Sequence, residues 1–144
     1  GVTLVSKDTL FEESDVLTIH LRLSSRTTGL VGENEINRMK GSSIIINSSR
    51  GPIINESALI QALRTGTIAG AGLDTFDVEP LPLDHELRTL RNTVITPHLG
   101  YVSTESYESY YSQTIENISA FLKGSPLRVM NPDVLSNGKL RAAP

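Results

Sequence analysis

Four short segments of this 144-residue chain hold the side chains that could do chemistry. They are His20-Leu21-Arg22, Asn47-Ser48-Ser49-Arg50-Gly51, the run from Asp74 to Pro80, and Thr96-Pro97-His98-Leu99-Gly100. Together they offer a guanidinium, several carboxylates and an imidazole, a set able to hold an anion and move a proton. Arg50 sits in the stiff turn Arg50-Gly51-Pro52. A guanidinium aimed by such a turn can grip a carboxylate with two parallel donors, which lysine cannot reproduce. Taken singly, Arg50 also reads as a solvated loop charge. His98 follows Pro97, which biases Thr96 toward an extended backbone and fixes the path out of the preceding run; its plain reading is a hydrogen-bonded structural histidine. Glu79, Asp77 and Asp74 each read alone as loop solubilisers. A carboxylate beside His98 would stabilise the imidazolium and keep a proton ready for a carbonyl oxygen. His20 reads as structural or cofactor-adjacent, and His85 as a surface residue.

Other chemistries fit poorly. With no cysteine there is no thiolate nucleophile or thiolate metal site, and no histidine pair has zinc-ligand spacing, so no metal is expected. There is no G-x-S-x-G elbow and no P-loop. Gly70-Ala71-Gly72 opens a G-x-G, but Thr75 stands at the third glycine position and the run lies inside a strand. Small residues there let a backbone or ligand approach closely. A hydrolase using Asp74 or Glu79 is a weaker reading, and it predicts turnover without a redox cofactor. The net charge of −3 with mixed signs gives no electrostatic argument for nucleic acid or an anionic membrane, neither of which is expected as a partner, and no apolar run is long enough to span a bilayer. An apolar content of 38% with 20% charged residues describes an ordinary globular chain, for which the cytoplasm is the default compartment.

The elements that must position these segments follow from periodicity. Strands are expected over residues 2–5, 16–21, 43–48, 68–73 and 93–96. Runs such as Ile44-Ile45-Ile46 suit parallel strands buried on both faces. Asn55 should cap a helix with Ala58, Leu59, Ala62 and Leu63 on one face, stopping at Gly66. A long helix should start at Ser103 and end near Gly124-Ser125-Pro126. Its Tyr107, Tyr110, Tyr111, Ile115, Ile118 and Leu122 follow helical spacing, which predicts a core-facing stripe. Shorter helices are expected over 9–13 and 33–40, and a long loop from 73 to 93. Strand–helix alternation gives an α/β fold with a mainly parallel sheet. In such sheets ligands bind beyond the carboxyl ends of the strands, where all four chemical segments fall. Residues 1–126 read as the folded portion, and 127–144 as a tail whose end is disordered.

The chain from Val16 to Gly100 resembles the D-isomer-specific 2-hydroxyacid dehydrogenase family. His20-Leu21-Arg22-Leu23-Ser24 is similar to its H-x-P-L-T segment, and Asn47 to Gly51 matches N-x-x-R-G. Glu56, Ala58, Leu59, Ala62, Leu63 and Gly66 match the helix that follows. Gly70 to Leu81 matches G-A-x-L-D-V-F-x-x-E-P-L, and Thr96 to Gly100 matches T-P-H-x-G. The five motifs, in this order, are specific. The resemblance implies NAD or NADP as cofactor and a small 2-hydroxy or 2-keto acid as substrate. It implies that Arg50 binds the substrate carboxylate, that His98 is the acid/base and that Glu79 is its carboxylate partner. His20, Leu21, Arg22, Ser48, Ser49, Asp74 and Gly100 would line the cofactor.

The departures carry expectations too. Arg22 stands where the family has proline, Glu86 replaces a loop proline, and Tyr101 replaces a glycine after the histidine. The chain opens on Gly1-Val2-Thr3-Leu4-Val5, as though partway through a fold. The resemblance therefore implies a partial Rossmann-like, doubly wound parallel sheet whose first strand-helix-strand, with the glycine-rich loop, is missing. The run 16–21 would then be an unpaired edge, and an apolar edge invites association, as a homodimer or by other self-association. The alternative reading is a non-catalytic truncated domain that folds and self-associates without binding cofactor tightly, since the pyrophosphate loses its backbone donors.

Overall fold

A computed structural model describes residues 1–136, which fall into two compact units, Gly1–Gly100 and the chain from Tyr101 onward. The first unit runs α1 (Lys7–Glu13), β1 (Val16–Ile19), α2 (Glu33–Ile36), β2 (Ile44–Asn47), α3 (Glu56–Thr65), β3 (Gly70–Leu73) and β4 (Thr93–Ile95). Single 3₁₀ turns, Gly51–Ile53 and Glu86–Arg88, precede α3 and β4. The four strands form one parallel sheet in the order β1-β2-β3-β4, with Leu17 beside Ile45, Ile45 beside Ala71 and Ala71 beside Thr93. The expected α/β architecture is present, and all four strands deliver their carboxyl ends to one edge.

Burial alternates along the strands. Leu17, Ile19, Ile45, Ala71 and Leu73 join Phe11, Ile36, Leu59 and Leu63 in one core. Their neighbours on the opposite face are open, with Val16 57%, Ile44 40% and Val94 71% exposed. The expectation of strands buried on both faces is therefore corrected: elements of residues 1–100 cover one face only. The triple isoleucine supplies β propensity throughout, but only Ile45 lies deep in the core.

Residues 2–5 do not form a strand, and Val2 and Leu4 are almost fully exposed. A β-rich run without a neighbour has no ladder to join, and propensity alone does not hold it. Instead Ser6 caps α1, its hydroxyl accepting the Thr9 N–H at 3.1 Å. The helix expected over 33–40 stops at Ile36. Beyond it Arg38 and Met39 donate to the carbonyls of Glu35 and Ile36, three residues back, so the chain tightens into turns. The helix read between Asn55 and Gly66 is present: Asn55 accepts the Ala58 N–H at 3.0 Å, and Gly66 takes the left-handed φ of 72° that ends it.

In the second unit Ser103 caps α4 (Thr104–Leu122), and α5 spans Asp133–Ser136. Tyr107 and Tyr111, one turn apart, stack with ring centroids 5.8 Å apart. The helical spacing is as expected, but the core-facing role is not, because α4 has no buried residue. Periodicity fixes which residues share a face, not whether something covers it. Among the described residues no helix is long and apolar enough to cross a membrane. The expected disorder at the end of the tail falls on 137–144, outside the described residues.

Candidate active site

The turn after β2 is built around a buried amide. Asn47 is 1% exposed; its Nδ2 donates to the Arg50 carbonyl at 2.9 Å and its Oδ1 accepts the Ser49 N–H at 3.0 Å. Ser49 Oγ donates to the Ile19 carbonyl at 2.7 Å, tying this turn to the end of β1. Arg50 lies on the surface, its Nη1 donating to the Ser49 carbonyl at 2.6 Å. Gly51 follows because nothing larger fits: a Cβ there would lie 2.1 Å from the Phe76 carbonyl carbon. The Arg50 turn and the loop after β3 are thus pressed backbone to backbone.

That loop folds back on itself. The Phe76 N–H donates to Glu79 Oε1 at 2.9 Å, and the peptide between Glu79 and Pro80 is cis. Glu79 Oε2 accepts from His98 Nδ1 at 2.6 Å, with each side chain about one-third exposed. Burial raises the Glu79 pKa, but its bonds to His98 and the Phe76 amide, with the charges of His98 and Arg50, outweigh it and hold the carboxyl below its ordinary value. An ionised carboxylate only accepts, so Nδ1 carries the proton of this bond. His98 itself is held at φ 57°, a left-handed conformation uncommon outside glycine.

Asp74 closes the site from beneath. Its Oδ1 accepts from Thr96 Oγ1 at 2.5 Å and from the Leu99 N–H at 2.8 Å, while Oδ2 accepts the Gly100 N–H at 2.8 Å. Burial pushes its pKa up, and these donors more than offset that, leaving the carboxyl below the ordinary range. Asp77 differs: burial and the neighbouring Glu56 carboxylate raise its pKa. Beside the Glu79–His98 pair opens a cleft of about 550 Å³, walled by Phe76, Pro80, Leu81, Ile95 and Pro97.

Glu79 is therefore bonded directly to His98 and Asp74 to Gly100, and the Arg50 charge reaches Glu79. His20, Leu21, Arg22 and Ser48 lie exposed along the same strand-end edge, with His20 Nε2 3.0 Å from Thr18 Oγ1. Ser49 has its amide and hydroxyl engaged by Asn47 and Ile19. The surface reading of His85 is overturned. Its Nε2 meets Glu56 Oε1 at 3.1 Å and its Nδ1 accepts the Leu87 N–H at 3.3 Å, fastening the loop before β4 to the start of α3. Sequence reasoning did not single out Asn47 or Thr96 as working residues. The signal for Asn47 was present: an asparagine at a strand end, two residues before a serine amide, is an Asx-turn former.

Residues 1–100 match the family model for the NAD-binding domain of D-isomer specific 2-hydroxyacid dehydrogenases. The glyoxylate reductase of Thermococcus litoralis is 41% identical over 138 residues, covering 95% of this chain and 41% of that protein. Glyoxylate/hydroxypyruvate reductase B of Yersinia pestis is 42% identical over 136 residues, covering 94% and 42%. The NAD-complexed structure of a D-isomer specific 2-hydroxyacid dehydrogenase from Lactobacillus delbrueckii ssp. bulgaricus superposes with a TM-score of 0.77. It is 32% identical, over 88% of this chain and 42% of that one. The chain thus spans about two-fifths of the length of these relatives. With the model match running through every segment of the site, the chain belongs to the D-isomer specific 2-hydroxyacid dehydrogenase family, within its NAD-binding domain.

Proposed function

We propose that the protein containing these residues is an NAD(P)-dependent oxidoreductase acting on the CH–OH group of a D-2-hydroxy acid, the reverse direction being reduction of a 2-keto acid. The observation that carries this reading is the 2.6 Å bond between His98 Nδ1 and Glu79, beside an arginine whose charge reaches the same carboxylate. Arg50 binds the substrate carboxylate and polarises the keto oxygen. His98 gives its Nε2 proton to that oxygen, and Glu79 stabilises the imidazolium from which the proton leaves. A bound nicotinamide supplies the hydride.

The residues present fit the nicotinamide end of such a cofactor. Asp74 Oδ2 accepts the Gly100 N–H, and its second lone pair can take a carboxamide N–H. Ser48, Gly100 and the exposed His20-Leu21-Arg22 segment line the same edge. Residues 1–144 contain no G-x-G-x-x-G for the pyrophosphate. The names of the relatives favour short keto acids such as glyoxylate and hydroxypyruvate. The test is NADH and NADPH consumption over a panel of 2-keto acids, using the polypeptide that carries both these residues and a glycine-rich loop. Reduction of one keto acid is expected. Turnover of esters or glycosides without nicotinamide would support the hydrolase reading instead.

For the 144-residue polypeptide by itself, the open sheet face favours a second reading: a domain that self-associates and holds cofactor weakly. Val16, Ile44 and Val94 form an apolar surface beside the unpaired edge of β1. Sedimentation velocity should find a second copy bound at micromolar concentration. A monomer across that range would remove this reading.

A further inference from the structure

His98 sits at φ 57°, and a non-glycine residue stays in that region only where its surroundings hold it. What holds it is visible on both sides. Ahead of it Thr96 accepts the His98 N–H on its carbonyl at 3.1 Å and donates from Oγ1 to Asp74 Oδ1 at 2.5 Å. Behind it the amides of Leu99 and Gly100 donate to the same carboxylate at 2.8 Å each. Asp74 therefore binds the residues two before, one after and two after His98, leaving the histidine at the apex of a closed loop. Gly100 fits the arrangement tightly, since a Cβ there would come 3.1 Å from Asp74 Oδ2.

We propose that Thr96 is a positioning residue for His98: through its hydroxyl bond to Asp74 it fixes the turn that carries the imidazole onto Glu79. The two backbone amides anchor only the outgoing limb of the loop. The incoming limb has one side-chain anchor to Asp74, the Thr96 hydroxyl, and Pro97 contributes no N–H of its own. Without that hydroxyl the Thr96 N–H still donates to the Leu73 carbonyl at 2.9 Å, but Pro97 and His98 beyond it lose the incoming tie to Asp74. The imidazole would then leave Glu79 even though both partners remain. This inference rests on His98 being the acid/base, but its test does not need turnover.

The chain has three histidines, so ring-labelled NMR resolves each. In the wild type, the His98 Nδ1 proton should give a downfield, slowly exchanging signal from its bond to the Glu79 carboxylate. Thr96→Val, nearly isosteric but without the hydroxyl, should lose or broaden that signal while the His85 signals stay in place. Thr96→Ser should restore it. In the active enzyme the same valine variant should lower kcat about tenfold or more with the cofactor KM little changed. A Thr96→Val spectrum with the His98 signal intact would overturn the proposal. So would equal disturbance of His85 and His98 in both variants, which would make Thr96 a residue of general stability. Loss of the His98 signal with turnover unchanged would count against the catalytic reading of His98, not against its positioning.

Discussion

The two ends of the strand-end edge are organised very differently. After β3 and β4, Asp74, Glu79, Thr96 and His98 are bound to one another and to three backbone amides, so their geometry exists before any ligand arrives. After β1, His20, Leu21 and Arg22 lie exposed, His20 meeting Thr18 Oγ1 and the Arg22 carbonyl accepting from Thr27 Oγ1. Arg50 falls between the extremes. Its backbone is fixed by Asn47 and Gly51, while its guanidinium hydrogen-bonds the adjacent Ser49 carbonyl. On the proposed function, the difference teaches that proton transfer is preorganised within residues 1–100, whereas anion binding and cofactor contacts are left to be completed by what binds.

The largest effect should come from breaking the contact that joins these regions. Gly51→Ala places a methyl 2.1 Å from the Phe76 carbonyl carbon and 2.5 Å from the Asp77 nitrogen, so the Arg50 turn and the Glu79 loop must separate. A loss of at least about 1–3 kcal/mol is expected from overpacking of this kind. Gly41→Ala meets nothing within 4 Å and is the control that should leave stability unchanged. Denaturant unfolding of both variants measures the contrast, and equal midpoints would mean that the two loops are not coupled.

A smaller effect concerns acid. Asp74 and Glu79 have folded pKa values depressed below their ordinary values of 3.8 and 4.5. Each therefore contributes stability that is present above its unfolded pKa and is lost as pH falls through the folded one. The denaturant midpoint should be level near neutrality and decline below roughly pH 4.5. In Glu79→Gln that decline should be shallower. An identical decline in the variant would show that the His98–Glu79 bond adds nothing to the fold.

Much of this was legible in the sequence, for reasons that differ between elements. The helix from Asn55 to Gly66 carries its cap, its apolar stripe and its stop within twelve residues, so local chemistry specifies it. The strands after which the site residues fall could be placed because β-rich runs alternate with helical ones. Residues 2–5 and the tyrosine stripe of α4 were misread for one physical reason. A pattern announces what a segment is able to pack against, while burial requires that a partner be there. His85 was missed because its two bonds join residues 29 apart and two apart, and a single histidine in a charged loop shows neither. Arg50, Glu79 and His98 stand out through motif order, yet the 2.6 Å bond and the left-handed turn behind it are tertiary facts.

The measurement that bears most directly on the account is reduction of glyoxylate or hydroxypyruvate by the polypeptide carrying these residues, wild type against His98→Gln, followed by NADH or NADPH absorbance. The account predicts turnover in the wild type and a fall in kcat of about 10²–10⁴ in the variant, with nicotinamide binding retained. A His98→Gln variant that reduces keto acid as fast as the wild type would contradict it.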